Sequence, residues 1–158
     1  MVVSTPIKKL DIQVILRKYQ KKDFKRIVEL DKEAQINQRQ SKIDLLTDAK
    51  ITKVSPKNGG LFIVVEVDKE VVGMGAMKRI DTKTCELEYV RVTPKYQGMG
   101  IGTIIIQKIE SQAAKLHYSR IRCLTCQARK FYEKLGYSCI GKKTYSDGPC
   151  DSIMEKKV

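Results

Sequence analysis

Three glycines at alternate positions form the part of this sequence best suited to bind an anion. They are Gly98, Gly100 and Gly102, at the end of a run that starts at Gln97. Glycine lets the backbone turn tightly and approach a ligand closely. The run lies between a predicted strand and a long helix with an apolar stripe, and the free N–H groups at a helix start favour an anion. One glycine would suffice for a simple turn, so the pattern predicts a phosphate-binding loop with a pyrophosphate as its natural ligand.

Two common nucleotide-binding motifs fit this loop poorly. A P-loop carries Lys and then Ser or Thr after its last glycine, whereas Gly102 is followed directly by Thr103. A dinucleotide-binding fold places its glycines after the first strand, with an acid about 20 residues further on. Here the loop follows several predicted antiparallel strands, so neither motif is favoured.

Two glutamates precede the loop on a predicted strand. Glu86 and Glu88 are two residues apart, so their side chains are expected to face one side of that strand, a side that Val90 and Val92 would share. Carboxylates in this position either act on a proton or simply face solvent and pair with Lys or Arg.

The elements that position these residues follow from hydrophobic periodicity and turn signals. Strands are predicted at 12–16, 61–67, 70–80, 86–92, 120–124, 137–140 and 152–156, and helices from Asp23 to Ala34 and at 41–50, 99–116 and 127–135. The order indicates an α/β, or mixed α+β, domain in which helices flank one central, mixed and mostly antiparallel sheet.

Length and composition fit one folded domain. The chain has 158 residues, of which 42% are hydrophobic and 31% charged, so a single domain over 1–158 is expected, with residues 1–11 as a flexible segment. No apolar run approaches the roughly 20 residues of a membrane span. No signal-peptide core precedes Lys8 and Lys9, so we expect a cytoplasmic protein.

The formal net charge of +13 invites a nucleic-acid-binding interpretation. The basic residues are mixed with acids, however, as where Lys25 and Arg26 lie between Asp23 and Glu29. This mixture favours a solvated basic face, which would also attract a phosphate-bearing small ligand.

The five cysteines have an odd count and irregular spacing, which argues against a disulfide framework. Cys123 and Cys126 form a Cys-x-x-Cys pair, but a zinc site would need a second pair of ligands and His117 is the one histidine of the chain. Buried thiols without a metal are expected, with a redox pair as the alternative.

Two motifs resemble those of the GCN5-related N-acetyltransferase (GNAT) family. Gln97 to Gly102 matches its Gln/Arg-x-x-Gly-x-Gly/Ala signature, and Ala128 to Tyr137 is similar to its second signature, with Phe131-Tyr132 followed by Gly136-Tyr137. The resemblance extends over roughly residues 12–157. It departs at Thr125, where many members have Asn, and at 147–151, where relatives often place a His.

This resemblance implies an acyltransferase that moves an acetyl group from acetyl-coenzyme A to a primary amine through a ternary complex, without a metal. It implies Tyr132 as general acid, Glu86 or Glu88 as general base, and a backbone N–H near Val90 as the oxyanion donor. The implied cofactor-binding residues are Val90, Arg91, Val92, Gln97, Gly98, Met99, Gly100, Ile101, Gly102, Thr103, Thr125, Ala128 and Phe131; Phe131 and Tyr137 are also expected in the core.

Two other classes of function stay open at this point: a coenzyme A-binding domain without catalysis, and a basic nucleic-acid-binding module. We expect an amine acceptor that is a small molecule or a protein, no specific nucleic-acid or membrane partner, and a monomer or homodimer. The acceptor itself is not readable from the sequence.

Overall fold

The computed structural model describes residues 2–7, 12–37, 45–146 and 148–158. The strands are β1 (Val2–Ile7), β2 (Ile12–Lys18), β3 (Leu61–Val67), β4 (Glu70–Arg79), β5 (Thr84–Val92), β6 (Arg120–Thr125), β7 (Ser138–Tyr145) and β8 (Gly148–Lys157). The helices are α1 (Phe24–Asn37), α2 (Asp48–Lys53), α3 (Ile101–Lys115) and α4 (Arg129–Lys134).

The eight strands form one sheet in the order β1-β2-β3-β4-β5-β6-β8-β7. Every neighbouring pair is antiparallel except β5 and β6, which run parallel. A parallel pair needs a crossover connection, and α3 supplies it. The prediction of a mixed, mostly antiparallel sheet flanked by helices is therefore confirmed.

Helices pack on both faces of the sheet and create two apolar layers. On one face, Ile101, Ile105 and Ile109 recur at helical spacing along α3 and are buried against the sheet. Gly75 of β4 allows this close approach, because a Cβ at that position would clash with the side chain of Ile105. On the other face, α1 buries Ile27 against β3 and β4.

The second predicted helix begins later than expected. Of the predicted span 41–50, residues 41–44 lie outside the described residues, and α2 starts only at Asp48. Thr47 is in an extended conformation, and its hydroxyl accepts a hydrogen bond from the backbone N–H of Lys50 at 3.3 Å. A capping threonine of this kind ends the extended segment and opens the helix.

The chain before residue 12 was expected to be flexible. Residues 2–7 of that segment form β1, which pairs along its whole length with β2 at the edge of the sheet. Within the described parts of the chain, no helix is both long and apolar enough to cross a membrane.

Candidate active site

The glycine loop connects the end of β5 to the start of α3. Residues Pro94–Tyr96 form a short 3-10 turn, and the buried ring of Tyr96 anchors it to the core. Gly98 and Gly100 have φ values of 76° and 89°, a left-handed conformation that side chains other than glycine rarely adopt. A Cβ at either position would meet no atom within 4 Å, so open space lies in front of the loop.

The N-terminus of α3 faces this loop without a side-chain cap. Gly100 is the capping residue and offers no side chain, and no acidic residue lies in the first turn. The N–H groups of the first helical turn have no acceptor within a helix and carry partial positive charge. This arrangement suits a phosphate or pyrophosphate.

A β-bulge separates the two halves of β5. The register against β4 shifts between Met74 and Ala76, and Tyr89 has a φ of 55°. The prediction that Val90 and Val92 share a side with Glu86 and Glu88 is wrong for this reason. An extra residue in one strand reverses the alternation of side chains beyond it.

Side-chain packing on the two faces of the sheet shows the effect of the bulge in β5. Val90 and Val92 pack against the layer under α3, whereas Ala76, the register partner of Glu88, belongs to the layer under α1. Glu86 and Glu88 thus face the α1 side of the sheet, and the two valines face the α3 side.

β5 and β6 stay paired for only a short distance. Their parallel register covers Thr84, Cys85 and Glu86 of β5. Among the described residues, no strand pairs with the rest of β5 on this side. The second half of β5 therefore presents an open strand edge, directly before the glycine loop.

Lys78 of β4 lies between the two glutamates. Its ammonium forms a hydrogen bond to Glu88 and approaches Glu86 Oε1 at 3.6 Å. Burial raises the pKa of Glu86, although the charge of Lys78 acts in the opposite direction. Burial alone would lower the pKa of Lys78, but its bonds to the glutamates outweigh this and raise it. A raised pKa suits Glu86 to accept a proton.

Sequence reasoning did not find Lys78. The signal was present, because Lys78 and Glu86 are direct partners across the hairpin formed by β4 and β5. Finding it required the correct register of that hairpin, which a turn pattern alone does not supply.

Tyr132 of α4 is buried on the α3 side of the sheet. It packs edge-on against Phe131 and Tyr137, with ring centroids 5.3 and 5.4 Å away. Burial raises the pKa of its phenol far above the usual range, so the phenol stays protonated at neutral pH. Glu86 and Tyr132 consequently lie on opposite faces of the sheet, on either side of the gap between β5 and β6.

Thr125 ends β6 and shapes the entry to α4. Its hydroxyl accepts a hydrogen bond from the backbone N–H of Ala128 at 2.9 Å, and its side chain is buried. Phe131, one turn further, would contact a Cβ at Gly102 at 3.4 Å. These contacts join α4 to the N-terminus of α3.

Arg91 connects the end of β5 to α1, a contact that sequence reasoning did not predict. Its Nη2 lies 3.4 Å from Oδ1 of the buried Asp31, and Nη1 donates to the carbonyl of Val90. Gln97 donates from its side-chain amide to the carbonyl of Val92 at 2.9 Å. An open cavity of about 210 Å³ lies here, lined by Leu30, Glu33, Ala34, Val90, Arg91, Val92, Pro94, Gln97 and Gln127.

Near the turn of the hairpin formed by β7 and β8, a tyrosine pairs with an aspartate. Tyr145 donates a hydrogen bond to Asp151 at 2.9 Å. Burial, this hydrogen bond and the charges of Asp151 and Glu86 raise the pKa of Tyr145 to about 12.

Cys123 and Cys126 have different environments. Cys123 points into the core, where burial raises the pKa of its thiol to about 12, and Cys126 is exposed. Among the described residues, no group of three or more His, Cys, Asp or Glu is arranged to hold a metal. That this pair binds no metal stays a prediction.

Comparison with known proteins identifies the family that this chain matches. The profile of the acetyltransferase (GNAT) family matches residues 24–137. An uncharacterized N-acetyltransferase of Bacillus subtilis, YsnE, is 30% identical over 96 residues, which cover 56% of this chain and 64% of the relative, so less than two thirds of its length is matched. An uncharacterized N-acetyltransferase of Methanocaldococcus jannaschii is 29% identical over 153 residues, 91% of this chain and 92% of the relative.

The fold also has solved counterparts. The structure of yncA, a putative acetyltransferase from Salmonella typhimurium with its cofactor acetyl-CoA, superposes with a TM-score of 0.77 over 91% of this chain and 93% of that one. The identity is 15%, and this likeness establishes the fold.

Proposed function

The chain belongs to the acetyltransferase (GNAT) family, and we propose that it transfers the acetyl group of acetyl-coenzyme A to a primary amine. The observation that carries the proposal is the glycine loop. Two glycines with positive φ face open space at the uncapped start of α3, immediately after the open edge of β5.

The loop and the strand edge suit the two ends of coenzyme A. The first-turn N–H groups of α3 hold the pyrophosphate, and the backbone of Val90, Arg91 and Val92 pairs with the amide-bearing arm as an added strand would. The other binding residues of the proposal are Gln97, Gly98, Met99, Gly100, Ile101, Gly102, Thr103, Thr125, Ala128 and Phe131. Thr125 contributes by shaping the turn with its hydroxyl, since that oxygen already accepts from Ala128.

Coenzyme A presents the acetyl group as a thioester, which a neutral amine attacks. A lysine-like amine has a pKa of about 10.4, so at neutral pH fewer than about one molecule in a thousand is unprotonated. Glu86 accepts the proton, directly or through water, because burial raises its pKa toward the operating range. Glu88 accepts a hydrogen bond from Lys78 and orients the lysine.

The two other tasks fall to Val90, further along β5, and to Tyr132, on the opposite face of the sheet from Glu86. Negative charge developing on the carbonyl oxygen is stabilised by the backbone N–H of Val90, next to the bulge. The leaving thiolate takes a proton from Tyr132, which is protonated and lies on the α3 face. The amine therefore approaches from the α1 side, and the thiol is released on the α3 side.

Two attributes complete the proposal. A cytosolic site of action is supported by the free thiols of Cys85, Cys123, Cys126 and Cys139, since reducing compartments keep cysteines unpaired. The acceptor is a small molecule or a protein amine, and the basic surface attracts the phosphates of the cofactor.

A screen of amine acceptors with acetyl-coenzyme A, followed by thiol release, tests this function. Time-dependent thiol release that requires both amine and protein supports it. Coenzyme A binding by calorimetry without amine-dependent release would indicate a binding domain without catalysis. Absence of coenzyme A binding would contradict the proposal as a whole.

A further inference from the structure

Three aromatic side chains form a continuous row on the face of the sheet that carries Glu88. The ring of Phe62 lies 5.4 Å from that of Tyr19 and 6.2 Å from that of Tyr89, measured between centroids. Phe62 is buried at the centre of the row, and the two tyrosines are half-buried on either side. The row ends at the bulge of β5, beside the proposed reaction site.

An apolar cavity lies at the other end of this row. Its volume is about 130 Å³. Tyr19 and Phe62 line it on the side of the sheet, and Ile51 and Ser55 line it on the side of α2. Its lining is mostly apolar. A cavity of about 150 Å³ with apolar walls is sufficient to bind benzene, so the space fits an aromatic ring or a short aliphatic group.

The register of the sheet gives the distance between the cavity and the glutamates. Phe62 is the direct partner of Ala76, and Ala76 is the direct partner of Glu88. Two strand spacings separate Phe62 from Glu88, which amounts to about 10 Å. Direct partners point to the same face of a sheet, so Phe62 and Glu88 lie on the same face.

The charges at the end of the row beside Glu86 and Glu88 favour an amine. Glu86 and Glu88 bring two carboxylates, and the one lysine between them, Lys78, offsets only one negative charge. An ammonium is attracted to this end. The cavity at the other end of the row has a mostly apolar lining, against which a second ammonium would lose part of its hydration.

We propose that the row Tyr19–Phe62–Tyr89 and the cavity beyond it form an acceptor site for a primary amine joined by a flexible linker to an apolar or aromatic group. The proposal rests on the acetyl-transfer function above and names its substrate class. The ammonium lies beside Glu86 and Glu88, the linker follows the exposed edges of the two tyrosines, and the apolar group fills the cavity.

A graded series of acceptors tests the reach of the site. Phenylalkylamines whose linker lengthens by one methylene at a time are compared with linear diamines of matching length, in the presence of acetyl-coenzyme A. We expect kcat/KM to rise by about fourfold for each methylene that becomes buried, up to the length at which the ring enters the cavity. The diamines should gain less, because their second ammonium would lose part of its hydration against the apolar lining.

Two variants locate the effect in the cavity. Ser55 has an extended backbone with a φ of −71° and makes no side-chain capping bond, so Ser55→Leu fills the cavity without backbone strain. We expect this variant to lose about tenfold or more in kcat/KM for the longer phenylalkylamines, with a short aliphatic amine unaffected. Ile51→Ala enlarges the cavity and should shift the preference to a bulkier ring. Ser111→Leu, on the exposed side of α3, is the matched control.

Calorimetric titration of the same amines separates this proposal from the function it rests on. Phenylalkylamine binding that Ser55→Leu abolishes, without any acetylation, would retain the acceptor site and contradict acetyl transfer. Acetylation of diamines and phenylalkylamines with equal kcat/KM would overturn the acceptor site and leave acetyl transfer intact. A preference for phenylalkylamines that survives in folded Ser55→Leu would also overturn the acceptor site.

Discussion

At the residue scale, the two groups proposed to move protons differ in what surrounds them. Tyr132 is enclosed by aromatic rings, and burial keeps its phenol protonated. Glu86 is also partly buried, but Lys78 and Glu88 add charge to its environment. The tyrosine is therefore a stable proton donor, while the proton affinity of the glutamate depends on its neighbours.

Tyr132→Phe removes the hydroxyl and keeps the ring contacts. We expect kcat to fall by roughly 10²–10⁴-fold, the usual contribution of a general acid, with affinity for coenzyme A nearly unchanged. Tyr137→Phe is the matched control, because its hydroxyl bonds to Glu110 at 3.0 Å and has no proposed chemical role. Steady-state rates with an accepted amine, together with calorimetry, check both variants. Wild-type turnover by Tyr132→Phe, with chemistry rate-limiting, would remove the acid role.

The pH dependence of kcat/KM tests the base. Protonation inactivates Glu86 as a base, so the rate should fall as pH drops through its raised pKa. Glu86→Gln should lose most activity at low pH and recover in part as the acceptor deprotonates by itself. Lys78→Met removes the charge that lowers the pKa of Glu86, so its acid limb should move to higher pH.

An exposed lysine in the turn before β5 provides the comparison for Lys78. Lys83→Met should keep the wild-type profile, since the side chain of Lys83 is exposed. If Glu86→Gln kept that profile too, while Glu88→Gln lost its acid limb, the base would be Glu88. An unchanged limb in all variants would assign proton acceptance to bulk water.

At the scale of elements, the conformation of the glycine loop carries the cofactor site. Gly100→Val places a branched side chain at a φ of 89° and into the space in front of α3. The backbone strain amounts to about 1–3 kcal/mol, and the side chain occupies the position proposed for the pyrophosphate. Calorimetry on the folded variant should therefore show affinity for acetyl-coenzyme A reduced by more than about tenfold.

Gly102→Ala separates this effect from a general sensitivity of the loop. Gly102 lies in the first turn of α3 with an ordinary helical φ, and its added methyl would make a normal contact with Phe131 at 3.4 Å. The affinity of the Gly102→Ala variant for acetyl-coenzyme A should stay close to that of the wild type. Undiminished binding by folded Gly100→Val would contradict the assignment of the loop.

A buried ion pair holds the start of α1 to the sheet. Asp23 is 4% exposed and accepts hydrogen bonds from Arg17 at 2.8 Å and from the backbone N–H of Gln20 at 2.8 Å. Burial alone would raise the pKa of Asp23, but the bonds from Arg17 and Gln20 outweigh it and lower the pKa. The negative charge is thus part of the folded structure.

Asp23→Asn should lower the free energy of unfolding by about 3 kcal/mol at neutral pH. Because the folded-state pKa is depressed, this stabilisation is present above the unfolded carboxyl pKa of about 3.9 and is lost as pH falls through the folded value. The difference between variant and wild type should shrink accordingly in acid. Urea unfolding at several pH values measures this, and Asp68→Asn in the exposed turn after β3 should stay within about 0.5 kcal/mol of wild type throughout.

At the scale of the whole molecule, the charge of +13 is the feature most open to misreading. Acids accompany the basic residues in space as well as in sequence, as in the pairs Arg122–Glu155 and Lys156–Glu110. The net charge is therefore expected to produce general attraction to anions and no defined nucleic-acid site.

Retention on nucleic acid should be detectable at low salt and should fade steeply as the salt concentration rises toward physiological values. Fluorescence anisotropy with duplexes of unrelated sequence is a suitable measurement. A preferred sequence bound tightly near physiological salt would contradict this expectation and favour the nucleic-acid-binding alternative.

The sequence alone determined the elements that depend on local preferences. Glycines at 98 and 100 mark positions where φ is positive, and the isoleucine stripe of α3 follows from helical periodicity. The motifs at 97–102 and 128–137 led to the correct family, because the residues that shape these turns are close together in the chain.

Only the tertiary structure decided which side chains face each other. The bulge at Tyr89, the position of Lys78 between two glutamates and the open edge of β5 all depend on the register between strands. Register is set by hydrogen bonds across the whole sheet, and one extra residue reverses every side chain beyond it. For that reason the sequence predicted the valines of β5 on the wrong face, and the aromatic row Tyr19–Phe62–Tyr89 was visible only in the folded chain.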